Sequence, residues 1–561
     1  MPAYLTRLAT TSSVVLTLLS IAVSLASYAK DQTQDSAMPR TTVDSGVLEG
    51  TRWHHGVRQI AFLGIPFAAP PVGELRWKPP RLPVKWQGVR AAKQFSPSCP
   101  QFSSGWWPEM AGRRQFDTSE DCLYLNVWTA NLSPLQGAPV IVWIHGGGNV
   151  EGSSQIPPLA SALVSKGVVF VSIEYRLGVF GFFAHPALTA ESANHSSGNY
   201  GLLDQIAALD WVRRNIRAFG GDPARVTILG QSSGAEDVCH LLASPLAAGL
   251  FHRAILESGV CMDSLYSALS APQSYFGNHG PGEALGLRLA AALGISNDSK
   301  VLEKLRAVSA EKLLAASREL EAADFGVIVD GWVVPAQPVT TFARHHQARI
   351  PVLVGSTADE TTVFGKPSPL ATEDSHPKTI AQYRRWLKSE FREFAEDVWQ
   401  IYPAASDRDV PAVFVRMQTD YAFGFGSHRL AQAMTEAGQQ AYLYYFTYKG
   451  RGPFAALGAF HSEELMFVGD TYWTSWIANQ EDKKLADLMG YYWTQFAKTG
   501  DPNQTGLPHW EPYGPKSEQC LEIGSTVKSR PTPHRDGYAV FDDILRARLR
   551  EIASPSVTHH N

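Results

Sequence analysis

The segment Arg225-Val-Thr-Ile-Leu-Gly-Gln-Ser-Ser-Gly234 joins an apolar, β-branched run to Gly230-x-Ser232-x-Gly234. Helical spacing follows at Ala235, Val238, Leu241 and Leu242. A serine on such a strand-to-helix turn is held with its hydroxyl clear of the backbone, and the turn is too tight for large flanking residues. Helix N-terminal amides there favour the negative charge that develops as Ser232 attacks a carbonyl carbon. The chemistry on offer is nucleophilic acyl transfer. A second segment, Val140-Ile-Val-Trp-Ile-His-Gly-Gly-Gly148, runs an apolar strand into three glycines. Such a loop lets backbone N–H groups approach a ligand oxygen that side chains would obstruct. With the N–H of Ser233, the residue after the nucleophile, it predicts an oxyanion hole.

Both segments need a scaffold that brings strand ends together. Short apolar runs recur at 139–144, 167–173, 225–229, 350–354 and 441–446. They are apolar at consecutive rather than alternating positions, which suits strands covered on both faces. Helical patterns lie between them. Leu202, Ile206, Leu209, Val212, Ile216 and Phe219 keep one face, and Gly220-Gly221 marks the stop. Alternating strands and helices predict an α/β fold with a doubly wound, mostly parallel sheet. The stretches 64–83 and 262–281 read as loops decorating that sheet. Phe541, Leu545, Leu549 and Ile552 predict a terminal helix docked on the core.

The charge balance excludes a nucleic-acid binder whose main asset is a basic surface. The 561 residues carry 49 Lys+Arg against 53 Asp+Glu, a net charge of −4 with no basic excess. Hydrophobic residues reach 44%, enough for a large core. Residues 1–29 read as a secretory signal: Arg7, an apolar stretch from Val14 to Ala26, then small residues at Ser27-Tyr28-Ala29. That stretch would span about 20 Å as a helix, short of a bilayer's ~30 Å core. No later run is long enough to cross a membrane, so a secreted or periplasmic protein is expected. In an oxidising compartment the five cysteines predict two disulfides and one leftover thiol, with the pairing open. No Cys-x-x-Cys occurs, and the adjacent pairs His54-His55, His345-His346 and His559-His560 read as solvated loop or tail features, not metal ligands.

Longer motifs carry a resemblance. Phe62-Leu-Gly-Ile-Pro-Phe67, Leu75-Arg-Trp77, Ser119-Glu-Asp-Cys-Leu-Tyr-Leu-Asn-Val-Trp128, Gly198-Asn-Tyr-Gly-Leu-Leu-Asp-Gln205 and Phe219-Gly-Gly-Asp-Pro223 join the serine elbow. The chain resembles the type-B carboxylesterase family, α/β-hydrolases that include cholinesterases and bacterial para-nitrobenzyl esterases. Shorter fragments, Phe67-Ala-Ala-Pro-Pro-Val-Gly73, His185-Pro-Ala-Leu188 and Tyr402-Pro-Ala-Ala-Ser-Asp407, are similar to its secreted bacterial members, fumonisin esterases among them. The resemblance implies an α/β-hydrolase fold in one domain over residues 30–561, with loop and helical insertions forming the pocket. It implies a secreted serine carboxylesterase that needs no cofactor or metal, with a small-molecule ester as partner. Within Gly355-Ser-Thr-Ala-Asp-Glu360 it implies Glu360 as the triad acid, although the residues alone leave Asp359 open. Within Leu457-Gly-Ala-Phe-His-Ser-Glu-Glu464 it implies His461 as the base, and the order Ser232, Glu360, His461 suits the fold. An imidazole titrates near neutrality and can take and return the serine proton. The N–H groups of Gly147, Gly148 and Ser233 would hold the oxyanion. The resemblance also implies disulfides Cys99–Cys122 and Cys239–Cys261, worth roughly 3 kcal/mol each. Cys520 is left as a buried thiol.

Departures from the family pattern bear on substrate. Gln231 stands where a glutamate precedes the nucleophile, which implies neutral or bulky esters favoured over choline esters. Ser233 replaces an alanine, Asn149 an aromatic, and Ser462 a glycine. Phe364 falls where the family has a pocket aromatic, and Trp106 and Trp107 are candidates for the pocket rim. Two other readings use the same fold: amide or carbamate cleavage or acyl transfer by the same triad, and a catalytically inactive binding or adhesion protein. The presence of Ser232, Glu360 and His461 argues against the second.

Overall fold

The computed structural model describes residues 38–553 except 56, 103–115, 271–280, 321–324, 365–375, 452–453 and 471–478. The expected leader at 1–29, Trp106, Trp107 and the His559-His560 pair lie outside the described residues. Among those described, eleven strands form one sheet and three form a smaller one.

The centre of the large sheet comes from the consecutive apolar runs. These are β7 (Ala138–Ile144), β8 (Val169–Ile173), β9 (Gly221–Gln231), β10 (Arg253–Glu257), β11 (Val352–Thr357) and β12 (Ala441–Phe446). With β13 (Gln519–Ile523) they pair in parallel in the order β13, β12, β11, β10, β9, β7, β8. Both faces are apolar because both are covered. Val140, Val142 and Ile144 of β7 pack on one side with Leu209, Val212 and Val238. Ile141 and Trp143 pack on the other with Trp493 and Phe496 of the helix Gln480–Thr499. The expected helix runs Tyr200–Asn215 and tightens into a 3-10 turn to Phe219. Gly220 ends it in the left-handed region at φ 80°.

The edges are antiparallel. On one side stand β6 (Tyr124–Thr129), β4 (Val57–Pro66) and β3 (Thr51–His55), and on the other β14 (Val527–Pro531). The small sheet holds β1 (Arg40–Val43), β2 (Gly46–Glu49) and β5 (Val89–Ala91). His54-His55, expected in a solvated loop, instead ends edge strand β3. Edge pairing tolerates polar residues that a buried parallel strand would not, so polarity alone misplaces them. His345 and His346 do lie in an exposed turn after the helix Pro338–Ala343. The terminal helix spans Arg535–Ala553 and buries Phe541 and Leu545.

Two disulfides, Cys99–Cys122 and Cys239–Cys261, are formed. Cys520 is a buried free thiol, pushed up to about 12 by burial, and so inert as a nucleophile. No helix among the described residues is long and apolar enough to cross a membrane.

One buried ion pair ties the loop after β8 to the helix Tyr200–Asn215. Arg176 Nε and Nη2 each donate to the Asp204 carboxylate at 2.7 Å, and both side chains are almost fully buried. Removing one partner leaves the other charge without compensation in a dry setting. Asp204→Ala is expected to cost about 3–5 kcal/mol. Urea unfolding checks this, and a loss below about 1 kcal/mol would mean the guanidinium finds water or another acceptor.

Candidate active site

The parallel register aligns the carboxyl ends of four strands. Gln231 of β9 sits beside Glu257 of β10, Glu257 beside Gly355 of β11, and Thr357 of β11 beside Phe446 of β12. The loops leaving these ends carry Ser232, Glu360 and His461 to one edge of the sheet, where open α/β sheets gather ligands.

Ser232 stands between β9 and the helix Ser233–Ala243 with φ 56° and ψ −132°, a conformation that L-residues rarely adopt. Its N–H donates to Glu257 O at 2.9 Å. The flanking glycines are required by contact. A Cβ on Gly230 would lie 2.2 Å from Gly234 O, and one on Gly234 would lie 2.3 Å from Ile144 O. The loop after β7 passes directly above. Gly147, Gly148 and Asn149 adopt φ of 109°, 65° and 58°, and the Asn149 N–H donates to Ser233 Oγ at 3.0 Å. The N–H groups of Gly147, Gly148 and Ser233 donate to no acceptor among the described residues, so they remain open to an anionic oxygen.

Glu360 is fully buried and His461 nearly so. His461 Nδ1 lies 2.6 Å from Glu360 Oε2, and the Thr357 N–H donates to Glu360 Oε1 at 2.7 Å. Asp359 points elsewhere. Its Oδ2 accepts from the Ala459 N–H at 2.9 Å and faces Lys449 Nζ at 3.7 Å. Beneath the pair, Ser258 Oγ donates to Glu464, and Trp493 Nε1 donates to Glu257 at 2.5 Å. Burial raises Glu257 to about 8 and Glu464 well above its ordinary range. Both are therefore protonated near neutrality and add no charge beside Glu360. His461 and Ser232 share no hydrogen bond; His461 Nε2 instead meets Gln231 Nε2 at 3.2 Å. Ser462, next in sequence, takes φ 74°, which suits the glycine of the family pattern.

A cavity of about 390 Å³ opens at Ser232. Asn149 lines it, but its side chain is engaged below: Nδ2 donates to Asp237 at 3.0 Å, and Tyr175 OH donates to Oδ1 at 3.1 Å. The Phe364 ring lies 5.4 Å from that of His461. Gln231 is fully buried and turned toward His461.

Three residues of this site carry no motif. Phe423, in a π-helical turn over Asp420–Gly424, lies 5.0 Å from the His461 ring and lines the cavity. Glu236 and Asp263 bring carboxyls to the same cavity. Burial raises Glu236 to about 8, and mutual repulsion adds to it; burial raises Asp263 to about 7. Glu236 had a usable signal, since it stands four residues after Ser232 and so on the same helix face. Asp263 and Phe423 had none. No group of three or more His, Cys, Asp or Glu that could hold a metal occurs among the described residues.

A sequence model described as the carboxylesterase family matches residues 37–539. Fumonisin B1 esterase of Sphingopyxis macrogoltabida is 39% identical over 515 residues, covering 89% of this chain and 88% of that protein. Liver carboxylesterase 1 of Oryctolagus cuniculus is 31% identical over 533 residues, covering 89% and 91%. Among solved structures, a PNB esterase superposes with a TM-score of 0.75 at 31% identity, covering 90% of this chain and all 100% of that one. A carboxylesterase of Geobacillus stearothermophilus gives a TM-score of 0.76 at 32% identity, covering 90% and 99%.

Proposed function

The chain belongs to the carboxylesterase family and is a carboxylic ester hydrolase; on that premise we propose that it works through an acyl-enzyme on Ser232. His461 serves as general base and then general acid, and Glu360 holds the ring tautomer and stabilises the imidazolium. The observation that carries this reading is the 2.6 Å contact of His461 Nδ1 with Glu360 Oε2, made beside the strained elbow serine. As the Ser232 Oγ electron pair attacks the ester carbonyl, its proton passes to His461 Nε2. The oxyanion is received by the N–H groups of Gly147, Gly148 and Ser233. The alcohol leaves with the proton from His461, and water repeats the sequence on the acyl-enzyme. Catalytic hydrogen bonds often tighten only when substrate enters, and the Gln231 N–H must release the His461 Nε2 lone pair to the Ser232 proton at that point.

The direct test is to trap the intermediate. Rapid mixing with a para-nitrophenyl ester at mildly acidic pH should release a burst of about one para-nitrophenol per chain. Quenched enzyme should carry the acyl mass on the peptide containing Ser232. An acyl group on another residue, or none under burst conditions, would remove the serine from this role.

Export to a secreted or periplasmic compartment is part of the same reading. The leader pattern at 1–29 and the two disulfides support it.

The substrate reading is a neutral or bulky ester in preference to a choline ester. Gln231 adds no charge and is turned away from the cavity. The carboxyls that do line it, Glu236 near 8 and Asp263 near 7, are largely protonated at pH 6 and donate hydrogen bonds to neutral polar groups. Acids with raised values ionise only as pH climbs past those values, so the cavity turns anionic between pH 6 and 9. The kcat/KM of butyrylthiocholine relative to a neutral thiobutyrate should therefore rise by about tenfold over that range. Since both substrates share one triad, its own titration cancels in the ratio. Glu236→Gln should flatten most of the rise. A ratio that stays constant in the wild type would dismiss these carboxyls as selectors.

A further inference from the structure

We propose that Gln231 is a positioning residue for His461, an amide whose two ends serve the two protonation states of the ring in turn. The proposal rests on the triad reading above. Gln231 closes β9, has 0% exposure, and places Nε2 at 3.2 Å from His461 Nε2. On the far side of the ring, Nδ1 meets Glu360 Oε2 at 2.6 Å. A carboxylate only accepts, so Nδ1 carries the ring proton and Nε2 of the neutral ring holds a lone pair. Between the two facing nitrogens, the amide N–H must then be the donor. Gln231 Oε1, at the other end of the same amide, is buried and has no hydrogen-bond partner.

The two ends have complementary uses. In the resting enzyme the amide N–H occupies the nitrogen that must receive the Ser232 proton, and it favours the neutral, reactive form of the ring. Once that proton has moved from Ser232 Oγ to His461 Nε2, two donors face each other across a contact that held one hydrogen bond. A half-turn about the terminal Cγ–Cδ bond exchanges the amide ends at almost no change in shape. It brings the unpartnered Oε1 to the imidazolium, which shares its proton with the departing alcohol oxygen. A glutamate here could only accept and would hold a proton on the ring before attack. An apolar residue would do neither.

Other ionisable groups surround the ring. Glu360 faces Nδ1. Glu463 and Glu464 open the helix Glu463–Val468 directly after it, and Glu257 stands behind Glu464. Asp359 lies beside Glu360 and is faced by Lys449. Glu236 and Asp263 face the cavity, with no Arg or Lys among its described lining residues. All are common to the variants compared below, so differences between variants report position 231. The Phe364 and Phe423 rings pack against the imidazole and add no charge.

The experiment measures kcat and kcat/KM for a neutral para-nitrophenyl ester from pH 5 to 9 in wild type, Gln231→Glu and Gln231→Met. Thermal midpoints check folding. Gln231→Glu is expected to move the acid limb of kcat/KM up by about 1–3 pH units while keeping the alkaline plateau. Gln231→Met, similar in length but unable to donate, is expected to move the limb by less and to lower plateau kcat by about tenfold or more. A purely structural role would lower thermal midpoints and leave the limb in place. An unmoved limb in Gln231→Glu, or a wild-type plateau in Gln231→Met, overturns the proposal; if the Met variant does not fold, the Glu variant alone decides. Ser232→Ala run alongside separates the two levels. If it stays active the triad reading fails, and if it is dead while position 231 has no effect, only this proposal falls.

Discussion

Ser232→Ala is expected to lower kcat for a para-nitrophenyl ester by about 10⁶ while leaving the fold unchanged. The size follows from what the hydroxyl does. In the proposed mechanism it supplies the electron pair that forms the acyl-enzyme, and no side chain beside it can take over. Ser233 Oγ already accepts from the Asn149 N–H at 3.0 Å, and Ser258 Oγ is committed to Glu464. What remains is binding plus the open N–H groups of Gly147, Gly148 and Ser233, which elsewhere sustain about 10³–10⁴ over water without a nucleophile. Stability should not suffer, because losing one oxygen at a cavity wall leaves no buried group unpaired. Alanine keeps the φ of 56° that Ser232 adopts, so the backbone strain neither grows nor falls. The assay needs enzyme free of contaminating esterase, with circular dichroism and thermal midpoint matched to wild type. Turnover within about tenfold of wild type would dismiss Ser232 as nucleophile, and with it the roles given to His461 and Glu360.

The sequence was most legible where burial is two-sided. β7, β9, β11 and β12 stand out as consecutive apolar runs because helices cover both faces of the sheet. The antiparallel edge was harder to read. β3 has polar residues where it ends, and β1, β2 and β5 are only 3–4 residues long, too short for a period to register. Local motifs named Ser232, the three glycines and the loops holding Glu360 and His461, because tight turns restrict residue type. The contacts between those loops are another matter. Gln231 and His461 are 230 residues apart, and their meeting depends on the register of β9 through β12. No local pattern encodes that. Glu236 shares its helix with the apolar positions Ala235, Val238, Leu241 and Leu242, whose periodicity is the stronger signal in that segment. Asp263 sits in an irregular segment where periodicity has nothing to say. Substrate selection is thus less legible than the reaction, since the cavity walls come from segments with no repeating pattern.

Glu360→Gln is expected to lower kcat by about 10³–10⁴, and Asp359→Asn by no more than a few fold. From residue types alone either carboxylate could orient the imidazole, and adjacent positions in a turn point in different directions. Glu360 Oε2 lies 2.6 Å from His461 Nδ1 in full burial, while Asp359 Oδ2 is spent on the Ala459 N–H at 2.9 Å. Glutamine keeps the size of Glu360, and its Oε1 can still accept from the Thr357 N–H. The end facing His461 then becomes an amide N–H donor. A donor at Nδ1 favours the tautomer with the proton on Nε2, the nitrogen that the proposed mechanism needs free to take the proton of Ser232. In the proposed mechanism the imidazolium formed in the transition state also loses its countercharge in a dry site, where that attraction is strongest. Glu464 and Glu257 cannot substitute near neutral pH, since burial keeps both protonated. The Asp359 change, in contrast, keeps an amide oxygen for the Ala459 N–H and gives up only a half-exposed contact with Lys449 at 3.7 Å, which solvent screens. Steady-state kinetics of the two variants at the wild-type pH plateau decide the matter. If Asp359→Asn were the more damaging, the catalytic acid would be the neighbour, and the 2.6 Å contact would belong to the resting enzyme alone.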